Sequence, residues 1–89
     1  PLNEEQRKSM RIPDSPRDEG PWTLWECAPS TFDWHYDSTE KAYVYEGDVT
    51  VKAEGEEVRV KAGDYVVFPK GMDCTWEVKE GVRKVYQFE

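Results

Sequence analysis

Five glycines in the second half of the chain keep a near-constant beat. Gly47, Gly55, Gly63, Gly71 and Gly81 are separated by eight, eight, eight and ten residues. Turn signals at this spacing mark an all-β sandwich or barrel built of short strands. The intervals agree. Val49, Val51 and Ala53 alternate with Thr50, Lys52 and Glu54, and Val58, Val60 and Ala62 alternate with Arg59 and Lys61. Period two puts one face on a core and the other in water. Glu54-Gly55 between these runs suits a hairpin turn, because Gly tolerates positive φ.

Tyr65-Val66-Val67-Phe68 is a continuous apolar run, expected as a strand buried on both faces and ended by Pro69. Cys74, Trp76 and Val78 alternate with Thr75, Glu77 and Lys79, and a run from Val82 to Phe88 closes the chain. Nothing after the first residues shows a 3.6-residue period. The reading is an all-β domain of roughly eight short strands.

Composition divides the 89 residues near position 21. All twelve aromatic residues lie at or after Trp22, whereas five of six prolines (Pro1, Pro13, Pro16, Pro21 and Pro29) fall within the first 29 positions. Asn3 and Gln6 have the spacing of a capping box for one short helical turn, which Pro13 and Pro16 keep from continuing. Residues 1–20 are therefore read as an irregular N-terminal arm, draped over the domain or partly disordered, and residues 21–89 as the domain. A domain this small hides only roughly 60–65% of its unfolded surface. It gains from covering exposed strand edges and aromatics, which makes a homodimer the expectation.

Charge and cysteine content bound the function classes. A net charge of −7 opposes binding to phosphate backbones or anionic lipid, so neither nucleic acid nor membrane is an expected partner. No apolar run approaches the ~20 residues of a membrane span, and no hydrophobic signal peptide is read. Two cysteines fit reduced thiols in a cytoplasmic compartment. An organellar stroma stays open if a targeting segment has been removed.

Two segments support a resemblance. Glu40-Lys-Ala-Tyr-Val-Tyr-Glu-Gly47 and Gly63-Asp-Tyr-Val-Val-Phe-Pro-Lys-Gly71-Met-Asp-Cys74 resemble the two motifs of the cupin superfamily, in order and at the separation of one small domain. The stretch from Phe68 to Trp76 resembles the small single-domain cupins related to the cupin halves of ureidoglycine aminohydrolase and an ethanolamine-utilisation cupin. The resemblance spans Trp22 to Phe88 and implies a jelly-roll barrel of antiparallel strands.

Metal-binding cupins hold a divalent ion with His-x-His and Glu in the first motif and His in the second. Carried over, Glu40 takes the glutamate position and Cys74 the final histidine position. One register of the histidine pair gives Asp33 and His35. The other gives Trp34 and Tyr36, which leaves only Glu40 and Cys74. The second register is favoured, so no cofactor is expected. A site for zinc, iron, manganese or nickel would need His35, Glu40 and Cys74 with Asp33 or Tyr36.

Without a metal, Glu40 starts an even-numbered apolar face with Ala42 and Val44, where a carboxylate serves as a general acid or base. Cys74 is read as a catalytic candidate that a neighbouring carboxylate would blunt. Tyr36, Trp34 and Trp76 are the candidate ligand-binding aromatics, with Lys70 as a rim cation for a carboxylate-bearing ligand. The expected function is small-molecule binding by a single-domain cupin with a degenerate metal site. The alternatives are a metal-dependent enzyme on a small nitrogen-containing or carboxylated metabolite, and a dimeric interaction module.

Overall fold

The computed structural model describes residues 1–89. The chain forms α1 (Glu4–Ser9) and six strands: β1 (Thr23–Cys27), β2 (Ser30–His35), β3 (Glu40–Ala53), β4 (Glu56–Lys61), β5 (Tyr65–Phe68) and β6 (Asp73–Phe88). All pairings are antiparallel and join one sheet around two long central strands, β3 and β6. β6 pairs with β2 along its first part (Trp34↔Cys74, Phe32↔Trp76) and with β1 along its second (Trp25↔Lys84). β3 does the same with β5 (Glu40↔Phe68) and then β4 (Val51↔Val58). The result is two four-stranded halves, β5-β3-β6-β1 and β4-β3-β6-β2, that share their long strands and fold onto each other. This is the antiparallel jelly-roll barrel that the resemblance implies.

The glycine beat needs correction at two positions. Gly55, Gly63 and Gly71 do sit in turns, but Gly47 and Gly81 lie inside β3 and β6. They mark the corner where each long strand passes from one half to the other. Register slips cluster there, between Val44 and Val49. Gly47 has φ +123°, and a Cβ on it would come within 2.9 Å of Val82 Cα and 3.0 Å of the Gly81 carbonyl oxygen. Such close crossing of backbones is how a sheet turns a corner. Two glycines spent on bends rather than turns make six strands where eight were expected.

The hairpin at Glu54-Gly55 is as read, with φ values of 50° and 78°. The double-sided burial expected of Tyr65–Phe68 is not observed. β5 is a short edge strand on β3, and only Phe68 is fully buried while Val67 is 52% exposed. Val58, expected on the core face, is likewise exposed, although Val60 two residues on is buried.

The barrel interior packs Tyr36, Val44, Val49, Val51, Val60, Phe68, Cys74, Trp76, Val78 and Val82 into one cluster. A second, smaller cluster of Ile12, Trp22, Tyr43 and Val85 lies outside the barrel under the N-terminal arm, with Leu2 and Met10 against it. α1 carries the capping box of Asn3 and Gln6. The arm is pinned by polar contacts: the Trp22 indole donates to the Met10 carbonyl at 3.1 Å, and the Tyr45 hydroxyl to the Pro13 carbonyl at 2.6 Å. No helix is long and apolar enough to cross a membrane.

Candidate functional site

Alternation along the two long strands builds the site. Glu40, Ala42 and Val44 face inward on β3, and the register sets them opposite Phe88, Tyr86 and Lys84 of β6. Even-numbered residues at the end of β6 therefore point into the barrel, and one of them is a lysine. Lys84 and Glu40 meet there. The ammonium donates to Glu40 Oε2 at 2.7 Å, with the two side chains 6% and 7% exposed.

Aromatic rings enclose this pair. Lys84 Nζ lies 4.8 Å from the ring centre of Trp25 and 4.7 Å from that of Trp76, within the range of a cation–π contact. Trp25 is the direct neighbour of Lys84 on β1, and Trp76 comes from the other half of the barrel. Phe32 stacks on Trp76 at 6.1 Å, and Tyr36 stacks on Phe68 at 4.9 Å with planes 7° apart. Between them lies a cavity of about 150 Å³ lined by Trp25, Phe32, Trp34, Tyr36, Glu40, Trp76, Lys84, Tyr86 and Phe88. Trp34 and Phe88 are each about half exposed and form its mouth.

Burial sets the proton affinities. It holds the Lys84 amine below the ordinary lysine value, with the Glu40 carboxylate pulling the other way. It raises the Tyr36 hydroxyl above its ordinary value, and the nearby Glu40 charge adds to the rise. The Cys74 thiol is raised as well, chiefly by burial. The Trp76 indole nitrogen is buried without a hydrogen-bond partner, an uncommon state for such a donor.

The structure brings four of the residues singled out from sequence into this cavity: Glu40, Tyr36, Trp34 and Trp76. Cys74 is buried beside it but does not line it, and its thiol points to the Trp34 carbonyl at 3.6 Å. Lys70 is exposed in the Pro69–Gly71 turn and does not itself line the cavity, although its amide donates to Thr39 Oγ1 beside Glu40 and the Gly71 amide to the Tyr36 carbonyl.

The metal set drawn from His35, Glu40, Cys74 and Asp33 is split by strand alternation. His35 and Asp33 project from the outer side of β2. There His35 Nδ1 meets Asp73 at 2.7 Å and Asp33 accepts from the Thr75 hydroxyl at 2.7 Å. Tyr36 faces inward, as its register predicted, but Glu40 is already bonded to an ammonium. No group of three or more His, Cys, Asp or Glu side chains is arranged to hold a metal ion. The residues present do not fit the divalent ion that the cupin motifs imply.

Lys84 is the residue that sequence reading missed. Its signal was present: Val82, Lys84, Tyr86 and Phe88 share one phase of β6, so a lysine stands where an apolar residue is expected. Trp25 escaped for a plainer reason, since β1 is too short to establish a phase.

Residues 15–86 match the family model for the EutQ-like cupin domain. The chain is 29% identical over 63 residues to acetate kinase EutQ of Clostridioides difficile (strain 630), covering 71% of this chain and 40% of that protein. Among solved structures, a DUF861 family protein from Thermotoga maritima superposes with a TM-score of 0.88 at 38% identity, covering 99% of this chain and 93% of that one. A putative ethanolamine utilization protein Q from Salmonella typhimurium LT2 gives a TM-score of 0.67 at 31% identity, covering 73% of this chain and 53% of that one. The chain thus spans well under two thirds of the EutQ proteins it matches, but nearly all of the Thermotoga protein. With two cupin motifs on adjoining strands, a jelly-roll barrel and this match across most of its length, the chain belongs to the EutQ-like cupin domain family.

Proposed function

We propose that this chain is a ligand-binding cupin. Its aromatic cavity takes a small, largely apolar molecule carrying one oxygen acceptor, such as a carboxylate or an amide. The observation behind this reading is the Glu40–Lys84 pair set among aromatic rings in a cavity that opens to solvent. An ammonium has three N–H donors, and Glu40 takes one of those of Lys84. The others are available to a ligand oxygen. Rigid aromatic walls then favour a flat or short apolar body at small entropic cost.

Size narrows the class. The cavity of about 150 Å³ falls below the roughly 300–1,000 Å³ of pockets for drug-sized ligands. It holds about five waters at liquid density, so the enclosed part takes a short chain or a single small ring.

Thermal unfolding with millimolar butanoate, butanamide, benzoate and butylamine tests the proposal. Binding to the folded chain raises Tm with the logarithm of one plus ligand over Kd. The acids or amides should raise it and the amine should not. Lys84→Met should abolish the shift while keeping the aromatic walls. No shift with any member of the series would remove the reading.

A further inference from the structure

Lys84 combines three properties that rarely coincide. Its amine is buried in a cavity that opens to solvent, a carboxylate lies at hydrogen-bond distance, and aromatic faces flank it. The first limits competing water, the second provides a proton carrier, and the third stabilises a cation on the nitrogen whether or not that nitrogen carries a substituent. We propose that Lys84 captures short aldehydes or ketones as imines inside the cavity, with Glu40 moving the protons. This rests on the cavity being the ligand site, and it adds a substrate class to that reading.

The chemistry balances without an external reagent. Glu40 takes one proton from the ammonium across the 2.7 Å contact. The freed amine nitrogen adds to the carbonyl carbon, the C=O π bond opens, and the oxygen takes the proton back from Glu40. Glu40 next removes a second proton from nitrogen and delivers it to the hydroxyl, which leaves as water while C=N forms. Ammonium and carbonyl become protonated imine and water, with no change of oxidation state. The positive charge stays on nitrogen, beside the Glu40 carboxylate and against the rings of Trp25 and Trp76.

The other six lysines set the contrast. Lys8, Lys52, Lys61, Lys70 and Lys79 are exposed and Lys41 is half-buried. An amine of ordinary lysine basicity is free in only about one molecule in 2,500 at pH 7. Burial lowers the Lys84 amine from that value, which raises its free fraction.

Reductive trapping is the direct test. The full chain is treated with propanal and sodium cyanoborohydride at pH 7 and the propylated lysines are mapped by mass spectrometry. Lys84 should be the first lysine modified, ahead of every exposed lysine, because its amine lies in the cavity beside Glu40 and burial lowers its basicity. Lys84→Arg, which keeps a cation beside Glu40, should lose this modification, and Glu40→Gln should slow it. Should Lys84→Arg not fold, butanoate added to the unaltered chain should protect Lys84 alone. Propylation spread evenly over the exposed lysines overturns the imine proposal. If butanoate still raises Tm in that case, the binding reading stands without it; if butanoate raises no Tm either, both fall together.

Discussion

Glu40 Oε2 accepts a hydrogen bond from Lys84 Nζ at 2.7 Å inside the barrel, across 44 residues of sequence, with neither side chain more than 7% exposed. The carboxylate at the position of the cupin glutamate thus serves an ammonium from the chain itself. A buried pair is worth little relative to an apolar replacement, yet removing one partner strands the other charge out of water. Glu40→Leu and Lys84→Met should each cost about 3–5 kcal/mol. The double variant should cost much less than their sum. Urea denaturation of all four proteins measures the coupling, and additive losses would show that the pair is not energetically linked.

The β3–β6 corner makes a second prediction. A Cβ at Gly47 meets backbone of Val82 and Gly81, and its φ of +123° disfavours any L side chain. Gly47→Ala should cost about 2–5 kcal/mol from backbone strain and overpacking together. Gly55 has φ +78° but open space where a Cβ would go, so Gly55→Ala should cost only about 1–2 kcal/mol. Equal losses in urea unfolding would mean that the corner is not close-packed.

The contrast between these glycines shows how far the sequence could be read. Alternation exposed the barrel, its hairpin at Gly55 and the inward phase of Glu40, Cys74 and Trp76, because burial on one face leaves a period of two. It could not separate a glycine that turns the chain from one that lets two strands cross, since that depends on a backbone more than 30 residues away. Nor could it pair Glu40 with Lys84, because both charges are tolerable only through a partner that the fold supplies. His35, the most conspicuous residue for metal binding, was misleading for the opposite reason: one step of alternation puts it outside the barrel.

Alkaline pH should destabilise the fold in a defined window. Burial raises Tyr36 above its ordinary value of 10.0 and pushes Tyr45 up to about 12. The folded chain therefore keeps protons that the unfolded chain has lost, and stability falls as pH rises above 10. Cys74, also raised by burial, acts in the same direction from its ordinary value of 9.0. Lys84 opposes them only up to its unfolded value of 10.5, because its folded pKa is lowered. Urea midpoints should decline between pH 10.5 and 12, less steeply in Tyr45→Phe. A flat profile would show that neither hydroxyl keeps its proton through burial.

Cys74 should behave as a core thiol. It is 7% exposed, its proton affinity is raised by burial, and its nearest acceptor is a carbonyl oxygen rather than a base. Iodoacetamide at pH 7.5 should alkylate the partly buried Cys27 well before the buried Cys74, as read by peptide mass spectrometry. Faster labelling of Cys74 would restore it as a nucleophile.

The four indole N–H resonances give the most direct test of the cavity as a ligand site. Trp25, Trp34 and Trp76 line it, whereas Trp22 lies under the N-terminal arm with its indole bonded to Met10. In a titration of ¹⁵N-labelled protein with butanoate, the three cavity indoles should shift along one saturable curve while that of Trp22 stays fixed. Four unmoved resonances, or a Trp22 shift as large as the others, would contradict a binding site built around Glu40 and Lys84.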